Sequence, residues 1–481
     1  MFKPPSKYII VFLLFLSLIF WLYRLYPYFF SSIPLGYDPW IYRDFMLSSF
    51  GFLPHIHLWW FVPRIKSTYE PWWWLASNVF HVLWYKVDRL LTFGVWFLSL
   101  ITSVFIYLAL KRQGKYAGIL GMILFWISII QYQTFWRCYI KQIVGILLLL
   151  SVFFLFENKK YWISIPLLLM LFVTNRPWWL FFLVVFVVWQ IVLGMRNEGK
   201  RMLHRNIQSV DTKAIWIVVW SGILALIVYL PVIREQVLSM FSPLFGSIFI
   251  AWTSGTFFSL SEFVRYDLFF LLLSLWWLRV TLQRNIWDWR TIGYLVWLVW
   301  IVLGLFFFSR IAIFWDIFII MLASYGLSEL YQHKRKFFWW ILWSFFLVQS
   351  VRYLYYVTTM SFPLIDQAEL VKIQQIDTLI PDNWILMVTN KKYSAFVQWW
   401  TDKEILAPGL FDLDRWDQAT WDLWHQWDGA VKCAMMESYK DVQQPIYIWL
   451  GNNQPVENLT NQHCFDVIEN GWSYLVLKWK E

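Results

Sequence analysis

The sequence predicts a polytopic α-helical membrane protein with about eleven transmembrane helices and a small external α/β domain at its carboxy end. Composition is the first reason. Of the 481 residues, 60% are hydrophobic and only 15% are charged, whereas a typical soluble domain has about 25% charged residues. The second reason is that apolar segments recur from residue 8 to residue 357, and a spanning helix needs about 20 apolar residues. The third is that basic residues gather in alternate loops, which is typical of cytoplasmic loops.

The hydropathy pattern predicts the positions of these helices. They run over residues 8–27, 90–110, 116–131, 140–156, 161–174, 178–194, 214–230, 264–282, 291–308, 310–331 and 337–357. The first follows Lys3 and Lys7 and has no small-residue cleavage site, so we expect a retained signal anchor with a cytoplasmic amino end. Several segments are shorter than a full span, which leaves tilted, partly buried or merged segments open.

Five basic loops separate these segments, and each is cytoplasmic if the amino end is cytoplasmic. Their basic residues are Lys111, Arg112, Lys115, Lys159, Lys160, Arg196, Lys200, Arg201, Arg205, Arg284, Arg290, Lys334, Arg335 and Lys336. The segments expected on the outer or periplasmic side are 28–89, 131–139, 174–177, 231–263 and everything after residue 358. Because this placement accounts for the net charge of +10, nucleic-acid binding is not expected.

The chain is therefore expected to have two domains. Residues 1–357 form the transmembrane domain, with a first external loop over 28–89, and residues 358–481 form the external domain. The apolar stretches Ile385–Val388 and Ile446–Leu450 lie between polar turns in the second domain, and they predict a small mixed α/β structure. Its two cysteines, Cys433 and Cys464, either pair in an oxidising compartment or stay unpaired.

The tryptophan content is unusual. Trp occurs 38 times and Gly only 19 times, although Gly makes up about 7% of an average sequence. Trp416, Trp427 and Trp472 lie in polar segments that are typical of turns. Aromatic belts at the membrane surface explain many Trp residues but not these. The other explanation is that some are glycines, encoded by UGA codons that the organism reads as Gly. Both explanations stay open.

The first external loop carries a candidate for catalysis. Asp38 lies in the segment Gly36–Asp44, directly after the first predicted span. A carboxylate at the membrane surface can act as a general base toward an acceptor hydroxyl, or can hold a divalent cation against a phosphate. Alternatively, Asp38 caps a helix that Pro39 opens, since Pro suits the first helical turn.

These residues carry a resemblance to a known family. The order of a first span, the pattern G-x-D-P-x-x-Y-R around Asp38, and an external loop that reaches Tyr69-Glu70-Pro71 before a second span resembles the GT-C superfamily of membrane glycosyltransferases. That superfamily includes the catalytic subunit of oligosaccharyltransferase and the protein O-mannosyltransferases, which use polyprenyl-linked sugars. The resemblance implies a GT-C fold for the predicted transmembrane domain.

Further motifs extend the resemblance. Ser259-Leu260-Ser261-Glu262 is similar to the S-x-S-E external-loop motif of oligosaccharyltransferases, so the resemblance implies a catalytic role for Glu262 beside Asp38. Arg310 matches the place where the family has an arginine near the donor phosphate. The segment 398–402, which reads QWWTD, loosely resembles the acceptor motif W-W-D, although a threonine separates its two Trp residues from the Asp.

The second predicted external loop departs from the family pattern. Oligosaccharyltransferases have a paired-acid motif there, whereas residues 133–141 contain no carboxylate. We therefore expect no three-carboxylate metal cage; no cofactor is assigned, and any Mg²⁺ or Mn²⁺ would have Asp38 as a ligand. Arg137 and Lys141 are instead expected on one face of a helix end, where they can bind a phosphate.

Two more charged residues lie near or within predicted spans. Arg176 is a candidate phosphate ligand near the level of the lipid, or an arginine that extends to the interface. Asp316 lies within the tenth predicted span and is expected to face the interior of the helix bundle.

Together these features predict a membrane glycosyltransferase. It would move a sugar from a polyprenyl-phosphate-linked donor to an acceptor at the outer face of the cell membrane, and the acceptor, whether protein, lipid or glycan, is not specified by the sequence. The alternatives are a polytopic transporter or flippase, and a ligase or polymerase of surface polysaccharide. A transporter would need polar residues and broken helices near the middle of the membrane.

Overall fold

The computed structural model describes most of the apolar helices and the carboxy-terminal domain. The described residues are 7–29, 93–174 except 138, 176–201, 212–229, 260–302 except 285 and 286, 312–360 except 334, and, with short gaps, 365–479. The chain folds into two compact units, of which one contains the apolar helices and the other contains the residues from Pro363 onward.

The helical unit has twelve α-helices among the described residues. They are α1 (Lys7–Tyr23), α2 (Val95–Leu110), α3 (Lys115–Ile127), α4 (Ile129–Trp136), α5 (Ile140–Glu157), α6 (Tyr161–Thr174), α7 (Arg176–Arg201), α8 (Thr212–Tyr229), α9 (Leu260–Arg284), α10 (Trp289–Val302), α11 (Ala312–His333) and α12 (Arg335–Met360). Every predicted transmembrane segment overlaps one of these helices, with α3 and α4 sharing the segment 116–131. By length and composition, α5 and α11 can each cross a membrane, and the bent pair α3 and α4 would be a third span.

Helix α11 lies at the centre of the helical unit. It packs against α3, α4, α9, α10 and α12. Its residues 312–328 are all buried, and most of the other buried side chains of the helical unit are aliphatic or aromatic. A polar side chain on α11 is therefore far from bulk water, and it needs a partner from a neighbouring helix.

The predicted continuous helix over 116–131 is wrong. Helix α3 ends at Ile127, and the chain bends by 57° before α4 begins at Ile129. Ser128 is in an extended conformation, and its side chain caps α4 by accepting a hydrogen bond from the Gln131 backbone at 3.1 Å. The segment 131–139 is also not an open external loop, because α4 fills most of it and all eight residues of α4 are buried.

The carboxy-terminal unit has the mixed α/β structure that the sequence predicts. Its helices are α13 (Gln367–Leu379), α14 (Gln418–Gln426) and α15 (Gly429–Met436), and its strands are β1 (Ile385–Val388), β2 (Glu404–Leu406), β3 (Ile446–Trp449), β4 (Phe465–Gly471) and β5 (Tyr474–Trp479). The sheet order is β2-β1-β3-β5-β4. Strand β1 is parallel to β2 and β3, and β5 is antiparallel to β3 and β4.

The core of this unit explains two features that the sequence left open. Cys433 and Cys464 form a disulfide, with their Cα atoms 6.0 Å apart. Trp416 is only 7% exposed, its Nε1 donates to Ser438 Oγ at 2.9 Å, and its ring contacts Trp421. Trp416 lies in a bend, in agreement with the turn interpretation, but its side chain belongs to the core.

Candidate active site

A cluster of buried polar side chains lies at one end of the helical unit. We call it the polar cluster, and its members come from α4, α9, α11, α12, the end of α1 and the break before α4. They are Arg24, Ser128, Gln131, Asp267, Asp316 and Tyr353, and each is at most 3% exposed. Because burying polar groups without partners is costly, their mutual contacts define how these helices meet.

Asp316 is the centre of the polar cluster. Its Oδ2 accepts hydrogen bonds from Ser128 Oγ at 2.9 Å and from Gln131 Nε2 at 2.8 Å. Gln131 Nε2 also donates to the carbonyl oxygen of Ile313 at 3.1 Å. The prediction that Asp316 faces the bundle interior is therefore confirmed, and its carboxylate joins α11 to the break between α3 and α4.

A second carboxyl group lies beside Asp316. Asp267, on α9, is fully buried and lies in electrostatic range of Asp316. Among the described residues, neither of its carboxyl oxygens has a hydrogen-bond partner. Two cations act on this pair, because Arg24 is in electrostatic range of Asp316 and Arg352 is in electrostatic range of Asp267. The polar cluster thus contains two acids and one base, Arg24, and Arg352 beside it adds a second positive charge, which limits the net charge of the region.

Arg24 follows the last turn of α1 and is fully buried. Its Nη2 donates to the carbonyl oxygen of Phe125 at 3.0 Å. Its guanidinium carbon lies 4.6 Å from the ring centroid of Trp126, so a cation–π contact adds to the hydrogen bond. A small cavity with room for about one water molecule lies beside it, and Ser99 and Gln131 also line this cavity.

The cluster continues toward Arg137 and Glu262. Both charges lie in electrostatic range of the Tyr356 hydroxyl, and the ring of Tyr356 contacts Tyr132 and Tyr266 edge-on, with centroids 6.2 Å and 5.6 Å apart. Two of the predicted site residues, 125 positions apart in the sequence, are therefore in electrostatic range of one tyrosine. Glu262 is exposed in the first turn of α9, and Arg137 is half-buried.

Arg137 is held at the end of α4. With the Gln133 amide oxygen turned toward it, that oxygen accepts hydrogen bonds from Nε and Nη2 of Arg137, each at 2.8 Å. The prediction that Arg137 and Lys141 share one helix face is wrong, because α4 ends at Trp136 and α5 begins at Ile140. The chain turns between them, where the Tyr139 backbone donates to the carbonyl oxygen of Thr134 at 3.0 Å.

Three other predicted site residues lie wholly or partly outside the described residues. Asp38 and Arg310 lie outside the described residues, as does the side chain of Arg176, whose backbone begins α7. Within the described part of the chain, no group of three or more His, Cys, Asp or Glu could hold a metal ion. Asp38 remains the one residue proposed for a metal.

The opposite end of the helical unit has its own charged network, which we call the clamp. Arg290, which is 2% exposed, donates from Nη1 and Nη2 to the two carboxylate oxygens of Glu157 at 2.8 Å and 2.9 Å. Asp288 also binds Arg290 at 2.9 Å, and Arg112 donates to the carbonyl oxygen of Glu157 at 3.1 Å. The clamp joins three of the predicted basic loops at one end of the helical unit. This agrees with the prediction that the basic loops share one side of the membrane.

Comparison with known structures identifies the fold. Chains that match this one in structure are GT-C membrane glycosyltransferases, so the chain has the GT-C fold that its motifs predicted. No protein-family model and no curated protein matches the sequence.

The individual matches cover most of the chain. ArnT from Cupriavidus metallidurans, bound to undecaprenyl phosphate, has a TM-score of 0.61 and 11% sequence identity, and the match covers 98% of both chains. The archaeal oligosaccharyltransferase AglB from Archaeoglobus fulgidus, in complex with an inhibitory peptide and a dolichol-phosphate, has a TM-score of 0.62 and 11% identity over 93% of this chain and 70% of that one. The oligosaccharyltransferase of the same organism in complex with Zn and sulfate has a TM-score of 0.60 and 11% identity over 91% of this chain and 68% of that one.

Proposed function

We propose that the protein is a membrane glycosyltransferase that moves a sugar from a polyprenyl-phosphate-linked donor to an acceptor at the outer face of the membrane. The observation that carries this proposal is the GT-C fold, which matches ArnT along nearly the whole of both chains. That relative was solved with undecaprenyl phosphate, and AglB was solved with a dolichol-phosphate and a peptide. A polyprenyl phosphate carries its tail in the bilayer and its reactive carbon at the surface.

The chemistry follows from the proposed site residues. Asp38 takes the proton of the acceptor hydroxyl, and the acceptor oxygen then attacks the anomeric carbon of the sugar. The bond between that carbon and the phosphate oxygen breaks, and the electron pair leaves with the polyprenyl phosphate. Arg137, Arg310 and Lys141 stabilise the charge that develops on the phosphate. We also assign Glu262 a catalytic role in the same site, beside Asp38.

Two features support an outer-face location. The disulfide between Cys433 and Cys464 is typical of an oxidising compartment, which favours an external carboxy-terminal unit. The polar cluster contains the carboxy end of α1, whereas the clamp contains the carboxy ends of α2 and α5. Since the clamp holds the basic loops, the polar cluster lies at the outer end if those loops are cytoplasmic.

The rival proposal is a transporter or flippase, and two observations favour it. The broken helix at Ser128 and the buried carboxyl groups Asp267 and Asp316 are features that transporters use. Both proposals predict that a polyprenyl-phosphate sugar binds. They differ because only a transferase separates the sugar from the lipid.

Proteoliposomes that contain the purified protein distinguish the two. They are given undecaprenyl phosphates that carry single hexoses or pentoses, together with extracts that supply acceptors. We expect free undecaprenyl phosphate to accumulate, as measured by mass spectrometry. Movement of intact donor between the leaflets, without release of undecaprenyl phosphate from any donor, would reject the transferase in favour of the flippase.

A further inference from the structure

We propose that Asp316 is a positioning residue for the donor-phosphate site, because it fixes the break between α3 and α4 and thereby aims Arg137. The inference rests on the proposed function. It adds a residue that touches neither donor nor acceptor and that acts through α4.

The first step is that neither Pro nor Gly explains the break. The residues Trp126 to Ile130 contain no Pro or Gly, the residues that usually bend helices. All of them except Ser128 are apolar, and each fits a continuous helix. The bend of 57° therefore has its local cause in Ser128, whose side chain caps α4, and needs a second cause in the tertiary structure that keeps Ser128 extended.

Asp316 supplies that cause. One carboxylate oxygen accepts from both Ser128 Oγ and Gln131 Nε2, at 2.9 Å and 2.8 Å. The same Ser128 oxygen caps α4 by accepting from the backbone of Gln131 at 3.1 Å. In a continuous helix the Ser128 side chain would bond its own preceding turn instead. The three contacts therefore stabilise the extended conformation at Ser128, and we call them the latch.

The second step connects the latch to Arg137. Helix α4 is only eight residues long and is buried throughout, so its two ends move together. Arg137 directly follows it, and its guanidinium is bound to Gln133, on the last turn of α4. Near that end, Arg137 and Glu262 both lie in range of the Tyr356 hydroxyl. A change in the direction of α4 would therefore move the Arg137 guanidinium.

The test uses three variants that break the latch in different ways: Asp316→Leu, Ser128→Ala and Gln131→Met. The control is Ser324→Ala, which removes a buried hydroxyl from the same helix α11, where it donates to the backbone of Met321 at 2.7 Å. Two readouts are measured in nanodiscs. One is hydrogen–deuterium exchange of the peptide 129–137, and the other is the affinity for undecaprenyl phosphate, alone and combined with Arg137→Gln.

We expect each latch variant to increase exchange in the peptide 129–137 and to weaken undecaprenyl phosphate binding about tenfold, as loss of one charge-assisted contact does. Arg137→Gln should weaken binding by a similar factor. Asp316→Leu combined with Arg137→Gln should bind no more weakly than Arg137→Gln alone, because Asp316 acts through Arg137. Ser324→Ala should leave both readouts at the wild-type level.

Two results would overturn the inference. Unchanged exchange in the three variants would show that there is no latch. Losses of affinity that simply add in the double variant would show that Asp316 acts through overall stability and not through Arg137. A wild-type protein that binds no undecaprenyl phosphate would instead reject the proposed function together with the role of Arg137, while the exchange readout would still report whether the latch exists.

Discussion

The clamp allows a prediction of stability to be worked out from the structure. Glu157→Gln keeps the shape of the side chain but removes the charge that Arg290 binds at 2.8 Å and 2.9 Å. Arg290 is 2% exposed, so its guanidinium cannot turn to water. Removing one partner of a buried ion pair costs about 3–5 kcal/mol. Because Asp288 still binds Arg290 at 2.9 Å, we expect the lower end, about 3 kcal/mol.

The measurement is the free energy of unfolding in mixed detergent micelles. The matched control is Arg112→Gln, because Arg112 approaches the same carboxylate at 3.8 Å but is 45% exposed. An exposed pair contributes about 0–1 kcal/mol, so this variant should be close to the wild type. A second control replaces both partners, Glu157→Leu with Arg290→Met, which should recover much of the loss. The reasoning is refuted if Glu157→Gln and Arg112→Gln lower stability equally.

Three further predictions concern the carboxy-terminal unit and metal dependence. Reduction of the disulfide between Cys433 and Cys464, which are 31 residues apart, should destabilise this unit by about 3–4 kcal/mol, as measured by chemical unfolding with and without reductant. Burial, together with nearby Lys432, lowers the pKa of His425 from its usual 6.5. The unfolded chain therefore binds the proton more tightly, and stability should fall as the pH drops below about 6.5; His425→Gln should reduce that slope in melting curves. EDTA should remove at most part of the transferase activity, since the second predicted loop has no acid pair.

Much of the fold could be predicted from the sequence because its patterns are local. The apolar segments and the alternation of basic loops predicted where the helices lie, and the strands over Ile385–Val388 and Ile446–Trp449 were recognised from their apolar residues. Strand pairing was not predictable, because the partners of β1 come from distant parts of the chain. Nor was the break at Ser128, because it depends on Asp316, 188 residues later.

The polar cluster was predictable only in part, because only some of its members give a local signal in the sequence. A lone acid in an apolar helix, such as Asp316, indicates a buried polar contact whatever its partners are. Sequence reasoning missed Arg24 and Asp267, since a charge near the end of an apolar segment also fits the membrane interface. The prediction from the four-residue spacing of Arg137 and Lys141 was wrong. It assumed one continuous helix, whereas the chain turns at Tyr139. The signal that could have revealed Arg24 and Asp267 was that each is a charged residue near one end of a predicted span.

The most direct test of the account measures release of undecaprenyl phosphate from a lipid-linked sugar by the wild type, Asp38→Asn and Asp44→Asn. The two substitutions remove the same charge from one loop, but only Asp38 has the proposed catalytic role. We expect Asp38→Asn to lower the rate by about 10²–10⁴-fold, the usual cost of losing a general base, and Asp44→Asn to stay near the wild type. Equal turnover by Asp38→Asn and the wild type would contradict the account.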